Sequence, residues 1–142
     1  MERKTALITG ATSGIGEACA RRFANGGYNI IITGRTADKL QALKVELETE
    51  GVSVLALAFD VCDRNATREA VNSIPDSFKP IDVLINNAGL ARGLEPEYEG
   101  SFQDWDEMID TNIKGLLNMT RLVVPEMVML NHGHVINIGS VA

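Results

Sequence analysis

Apolar residues along the chain fall into two alternating rhythms. Ala6-Leu7-Ile8, Tyr28 to Thr33, Val52 to Phe59, Ile81 to Ile85 and His134 to Ile138 are short apolar runs rich in β-branched residues. Such unbroken runs mark strands buried on both faces. Between them the apolar positions recur at helical spacing. Ile15, Cys19 and Phe23 share one face of a first helix, and Leu40, Leu43 and Leu47 share one face of a second. Asp60-Val61-Cys62-Asp63 leads into a shorter third helix with Val71 and Ile74 inward. A long fourth helix is expected from near Ser101 or Asp104 to about Leu130, kinked locally by Pro125. Asn25-Gly26-Gly27, Gly34-Arg35-Thr36, Gly51, Pro75 and Pro80 punctuate the pattern, and a loop with Gly93 and Pro96 fills 90–100.

Strands alternating with helices predict right-handed crossovers and an α/β fold, a doubly wound parallel sheet of strand order 3-2-1-4-5. The length of 142 residues suits one domain. In that order the fifth strand is an edge, yet its two faces are apolar. Edges are usually short, charged or covered, so 1–142 is expected to be the N-terminal part of a larger single domain.

Composition narrows the partners. The net charge of −6 argues against nucleic acid as a default partner. No apolar run is long enough to span a bilayer. Met1-Glu2-Arg3-Lys4 leads straight into a strand, unlike a secretory signal. Cys19 and Cys62 form no paired motif and read as inert thiols, consistent with a reducing, cytoplasmic setting. His132 and His134 lack carboxylate or cysteine neighbours and read as structural, so no metal site is expected.

The candidate chemistry gathers at strand ends. Thr9-Gly10-Ala11-Thr12-Ser13-Gly14-Ile15-Gly16 follows the first strand and opens the first helix. Free N–H groups at a helix start attract anions, and glycines let a pyrophosphate approach the backbone. The plain alternative is a glycine-rich turn without a ligand. Arg35 ends the second strand, about twenty residues on, where NAD enzymes often hold a carboxylate for the ribose 2′-hydroxyl. A guanidinium there binds a 2′-phosphate instead; otherwise it is a solvated arginine before a helix. Asp60 and Val61 end the third strand, in the crevice where such sheets bind ligands, although an aspartate there also serves as a turn residue. Asn86-Asn87-Ala88-Gly89 ends the fourth strand with small residues and with amides able to tie strand ends together. Asn112 lies mid-helix, where asparagine is unfavourable. Ser140 follows the fifth strand, ordinarily a turn position.

With its Thr-Gly-x-x-x-Gly-Ile-Gly at 9–16, Asn-Asn-Ala-Gly at 86–89, Asn-x-x-Gly at 112–115 and serine at 140, the chain resembles the short-chain dehydrogenase/reductase family. The resemblance implies an NAD(P)-dependent oxidoreductase on a Rossmann sheet. Gly10, Thr12, Ser13, Gly14, Ile15 and Gly16 would hold the pyrophosphate side of the cofactor. Family members with Gly-Arg at 34–35 use NADP. Asp60 would accept from the adenine amino group, with the Val61 backbone flanking the ring. Asn87, Ala88 and Gly89 would lie against the cofactor ribose. Asn112 would hold a water of a proton relay through its backbone, and Ser140 would bond the substrate oxygen. The family's proton donor is a tyrosine with a lysine four residues later. Tyr28 and Tyr98 are followed at that distance by Ile32 and Phe102, so neither fits, and the motif is expected beyond Ala142.

Ala91 to Pro96, Trp105 to Asn112 and Asn131 to Ser140 are similar to NADP-dependent 3-hydroxy acid dehydrogenases, a group that includes serine and allo-threonine dehydrogenases. Relatives pair the long helix with its copy and form tetramers. Apolar residues surround most of 116–128, which suits a homo-oligomer joined through helix 104–130. A competing class is a non-catalytic NADP-binding or sensing module, which would keep the glycine turn, Arg35 and Asp60 and dispense with the tyrosine and lysine.

Overall fold

The computed structural model describes residues 2–12, 14–89 and 96–139. Five parallel strands form one sheet in the order β3-β2-β1-β4-β5, as the alternation predicts. They are β1 (Thr5–Ile8), β2 (Asn29–Gly34), β3 (Val54–Ala58), β4 (Val83–Asn86) and β5 (His134–Asn137). Every residue of β1 is buried, because it pairs with β2 on one side (Leu7 opposite Ile31) and with β4 on the other (Leu7 opposite Leu84).

The sheet separates two apolar layers. Alternate residues Ala6, Ile8, Ile30, Ile32 and Ile85 face α1 (Gly14–Asn25) and α2 (Ala37–Glu48), whose Leu40, Leu43 and Leu47 are all buried. Leu7, Ile31 and Leu84 face the other way, toward Met119, Val123 and Met127 of α5 (Leu116–Leu130), with Ile74 and Phe78 following α3 (Arg64–Asn72). Ala6, Leu7 and Ile8 of β1 are removed wholly from water, and burial of a leucine or isoleucine side chain stabilises by about 1.5–3 kcal/mol. Arg21 joins α1 to α2 by bridging Glu17 (2.9 Å) and Glu46 (2.7 Å).

Two expectations change. The buried face of α1 is Gly16, Ala20 and Ala24, and Ile15 is 58% exposed. Cys19 and Phe23 pack on the edge of the core, but the helix lies so near the sheet that only small residues fit at its centre. The long fourth helix is also not uniform. It begins as α4 (Phe102–Ile109), with the Ser101 hydroxyl accepting from the Asp104 N–H. It widens into a π turn over Asp110–Gly115 and resumes as α5, which contains Pro125 and ends at left-handed Asn131. Asn112 and Gly115, both poor helix formers, lie in the widened turn.

Asp82 fastens the lower ends of three strands. Its Oδ2 accepts from the Thr5 N–H at 2.8 Å, its Oδ1 meets His132 Nε2 at 3.0 Å, and its carbonyl accepts from the His134 N–H at 2.9 Å. His132 is thus structural. No described helix is long and apolar enough to cross a membrane.

Candidate functional site

The ends of β1 and β4 are locked together beneath the glycine turn. The Thr9 hydroxyl accepts from the N–H groups of Asn87 (3.0 Å) and Ala88 (2.9 Å). In return the Asn87 Nδ2 donates to the Gly10 carbonyl at 3.0 Å. Asn86 reaches sideways instead, donating to Asn137 Oδ1 at 3.0 Å and to Thr120 Oγ1 at 3.2 Å. The amides of Asn86 and Asn87 at the end of β4 therefore tie strand ends together, as their chemistry suggests.

The three glycines meet different demands. Gly10 has φ +61°, and a Cβ there would stand 2.9 Å from Ala88 Cα. Gly14 has φ +56° but opens onto empty space. A Cβ on Gly16 would collide with the Gly10 carbonyl and with the Asn87 amide. The turn can thus lie flat against β4 with its backbone open to a ligand.

Above it lies a cleft of about 440 Å³. Gly10, Thr12 and Ile15 form one wall, Arg35 with Gly34 a second, Asp60 and Val61 a third, and Asn87, Ala88 and Gly89 the floor. Nine of the residues singled out in the sequence thus converge on one space. Gly14 and Gly16 shape the turn without lining the cleft. Ser13 and Ser140 lie outside the described residues.

Thr33, Thr36, Lys39 and Thr111 also line the cleft, and the sequence reading passed over them. Lys39 could have been found, since it lies in the first turn of α2, four residues after Arg35, and brings a second cation to the end of β2. Thr36 precedes α2 and its side chain makes no capping hydrogen bond. The Thr33 hydroxyl is buried with no protein partner among the described residues.

On the third wall the Asp60 Oδ1 accepts from the Cys62 N–H at 2.9 Å, a turn role that coexists with its place in the cleft. Burial pushes the Cys62 thiol above its usual range; the Thr111 hydroxyl, 3.2 Å from the sulfur, opposes the shift and the Asp60 carboxylate adds to it. Both cysteines are free and half-buried. Asn112 lies beside Gly89: a Cβ built on Gly89 would stand 2.9 Å from Asn112 Oδ1. Among the described residues no group of three His, Cys, Asp or Glu could hold a metal ion. The cleft can hold an extended phosphorylated ligand: a helix start and two cations attract anions, the glycines leave room, and the orphaned Thr33 hydroxyl offers a polar contact.

The family model for short chain dehydrogenases matches residues 4–142. The chain belongs to that family. It is 55% identical over 136 residues to an NADP-dependent 3-hydroxy acid dehydrogenase of Salmonella typhi, covering 96% of this chain and 54% of the relative. It is 49% identical over 138 residues to serine 3-dehydrogenase of Agrobacterium fabrum, covering 97% and 54%. Among solved short-chain dehydrogenases, the closed form of serine dehydrogenase complexed with NADP+ superposes with a TM-score of 0.91 at 50% identity, covering 96% of this chain and 54% of that one. The chain spans about half the length of the curated relatives it matches.

Proposed function

We propose that this chain is the nucleotide-binding part of an NADP-dependent oxidoreductase that interconverts a small 3-hydroxy acid, such as serine, and its 3-oxo counterpart. The convergence of the glycine turn, Arg35 and the Asn87-Ala88-Gly89 floor on one cleft carries the reading. When bound, NADP(H) supplies or accepts the hydride.

The protein's own residues bind, orient and move protons. The turn at Gly10, Thr12, Ser13, Gly14, Ile15 and Gly16 presents backbone N–H groups to the pyrophosphate. Arg35, with Lys39 nearby, meets the 2′-phosphate, and no carboxylate at the end of β2 repels it. Asp60 and the Val61 backbone hold the adenine. Asn87, Ala88 and Gly89 lie against the ribose. Asn112 holds a relay water and Ser140 bonds the substrate oxygen as charge develops on it. No tyrosine of 1–142 has a lysine four residues on, so the proton-donating pair is assigned to none of these residues.

The kinship with dehydrogenases disfavours a module that only senses NADP. A homo-oligomer in the cytoplasm completes the reading. Ile109, Ile113, Leu117 and Val128 on the long helix are 47%, 54%, 57% and 73% exposed, which supports pairing through 104–130.

The test follows reduced NADP by absorbance with serine and related 3-hydroxy acids. The full-length protein should turn over, residues 1–142 alone should not, and Ser140→Ala should lose about 10²–10³ in rate with its fold intact. Turnover by 1–142 or near-normal Ser140→Ala activity overturns the mechanism.

A further inference from the structure

The loop after β3 is joined to the widened turn of the long helix at two points, and to the first turn of α5 just beyond it at a third. The Asn118 Nδ2 donates to the Val61 carbonyl at 2.8 Å, and Asn118 is buried. Cys62 Sγ and Thr111 Oγ1 are 3.2 Å apart. Val61 lies so near Gly115 that a Cβ there would stand 2.6 Å from Val61 Cγ2. On its other side the same turn meets the cleft floor, where Asn112 abuts Gly89. Six residues of π turn thus bridge the adenine wall and the floor. A π turn lacks the tight i to i+4 bonding of the α-helices on either side, so its position depends on what it touches.

We propose that Thr111, in the π turn, and Asn118, in the first turn of α5 that follows it, are positioning residues that fasten the Val61-Cys62 loop to both sides of the turn's end, so that a nucleotide seated against Val61 fixes the turn and, through it, Asn112. The proposal rests on the nucleotide-binding reading above. Asn118 does not line the cleft; Thr111 lines it but carries the link through its hydroxyl on the Cys62 sulfur. Asn118 acts through the Val61 carbonyl, and Thr111 acts through the Cys62 sulfur and through its own place beside Asn112.

The probe is adenosine 2′,5′-bisphosphate, which carries the adenine and the 2′-phosphate and no nicotinamide. Calorimetry measures its binding to the full-length protein, and hydrogen exchange follows the backbone amides of 110–115. In wild type the bound probe should slow that exchange about five-fold or more, the low end of coupling between two sites. Thr111→Val and Asn118→Leu should bind the probe yet lose the slowing, while Thr111→Ser and Asn118→Gln should regain most of it. In the same variants kcat should fall more than KM for NADP rises. If Asn118→Leu does not fold, Thr111→Val, which removes one hydroxyl and keeps the shape, carries the test. A probe that binds without protecting 110–115, or protection that persists in Thr111→Val, overturns the proposal and leaves nucleotide binding intact. A probe that does not bind overturns both.

Discussion

The Asn87 side chain donates to the Gly10 carbonyl across 3.0 Å, although 77 residues separate them. Through this bond the end of β4 holds the glycine turn in the shape the cleft requires. Asn87→Ala should leave that carbonyl without its partner, and a net hydrogen bond of this kind contributes about 0.5–1.5 kcal/mol. We expect a small fall in urea midpoint and a larger loss of NADP affinity, because the turn loosens where the pyrophosphate sits. Affinity unchanged by calorimetry would refute the link.

Arg35→Asp places a carboxylate where the 2′-phosphate is assigned. Losing a hydrogen bond to a charged group costs about 1.5–3 kcal/mol, or about ten- to a hundredfold at ~1.4 kcal/mol per decade. NADP should weaken by that factor while NAD changes little. Lys39→Ala should give a smaller shift in the same direction. Titrating both cofactors against each variant checks the ratio.

Gly14 and Gly16 should respond differently to alanine. Gly14→Ala meets open space and incurs only left-handed backbone strain, roughly 1–2 kcal/mol. Gly16→Ala drives a methyl into the Gly10 carbonyl, which cannot move without shifting the turn. Thermal unfolding should record the larger loss for Gly16→Ala, and equal losses would contradict the packing described.

Cys62 should stay a protonated, unreactive thiol at neutral pH, since burial raises its pKa above the usual range. The folded protein then binds the thiol proton more tightly than the unfolded chain. That contribution to stability is present below the ordinary thiol pKa and lost as the pH climbs through the raised one. Alkylation by iodoacetamide should accelerate only at alkaline pH, later for Cys62 than for a small-molecule thiol. Rapid labelling of Cys62 at pH 7 would contradict this.

The order of elements was legible because the strands are continuous apolar runs and Leu40, Leu43 and Leu47 keep strict helical spacing. The cleft was legible where chemistry sits at strand ends, as at Arg35, Asp60 and Asn87. Ile15 misled, because its apolar side chain suggests the core while the close approach of α1 to the sheet admits only Gly16, Ala20 and Ala24. The π turn left no periodic trace, since widening over six residues is decided by contacts with Val61 and Gly89 from distant parts of the chain. Thr33 and Thr111 were missed for a similar reason: a lone threonine carries no signal until the fold brings it to a shared space.

The π turn also sets the rotational phase of the long helix. An α-helix advances about 100° per residue, so accommodating one additional residue in a wide turn rotates everything before it relative to everything after. The faces of α4 (Phe102–Ile109) and α5 (Leu116–Leu130) are consequently offset by about the rotation of one residue. Removing one residue between Asp110 and Gly115 would restore a plain α-helix and turn Trp105 and its neighbours by about a quarter of a revolution relative to α5. A change in the segment's length therefore acts on the whole helix, whereas an exchange such as Thr111→Val acts only where the side chain touches.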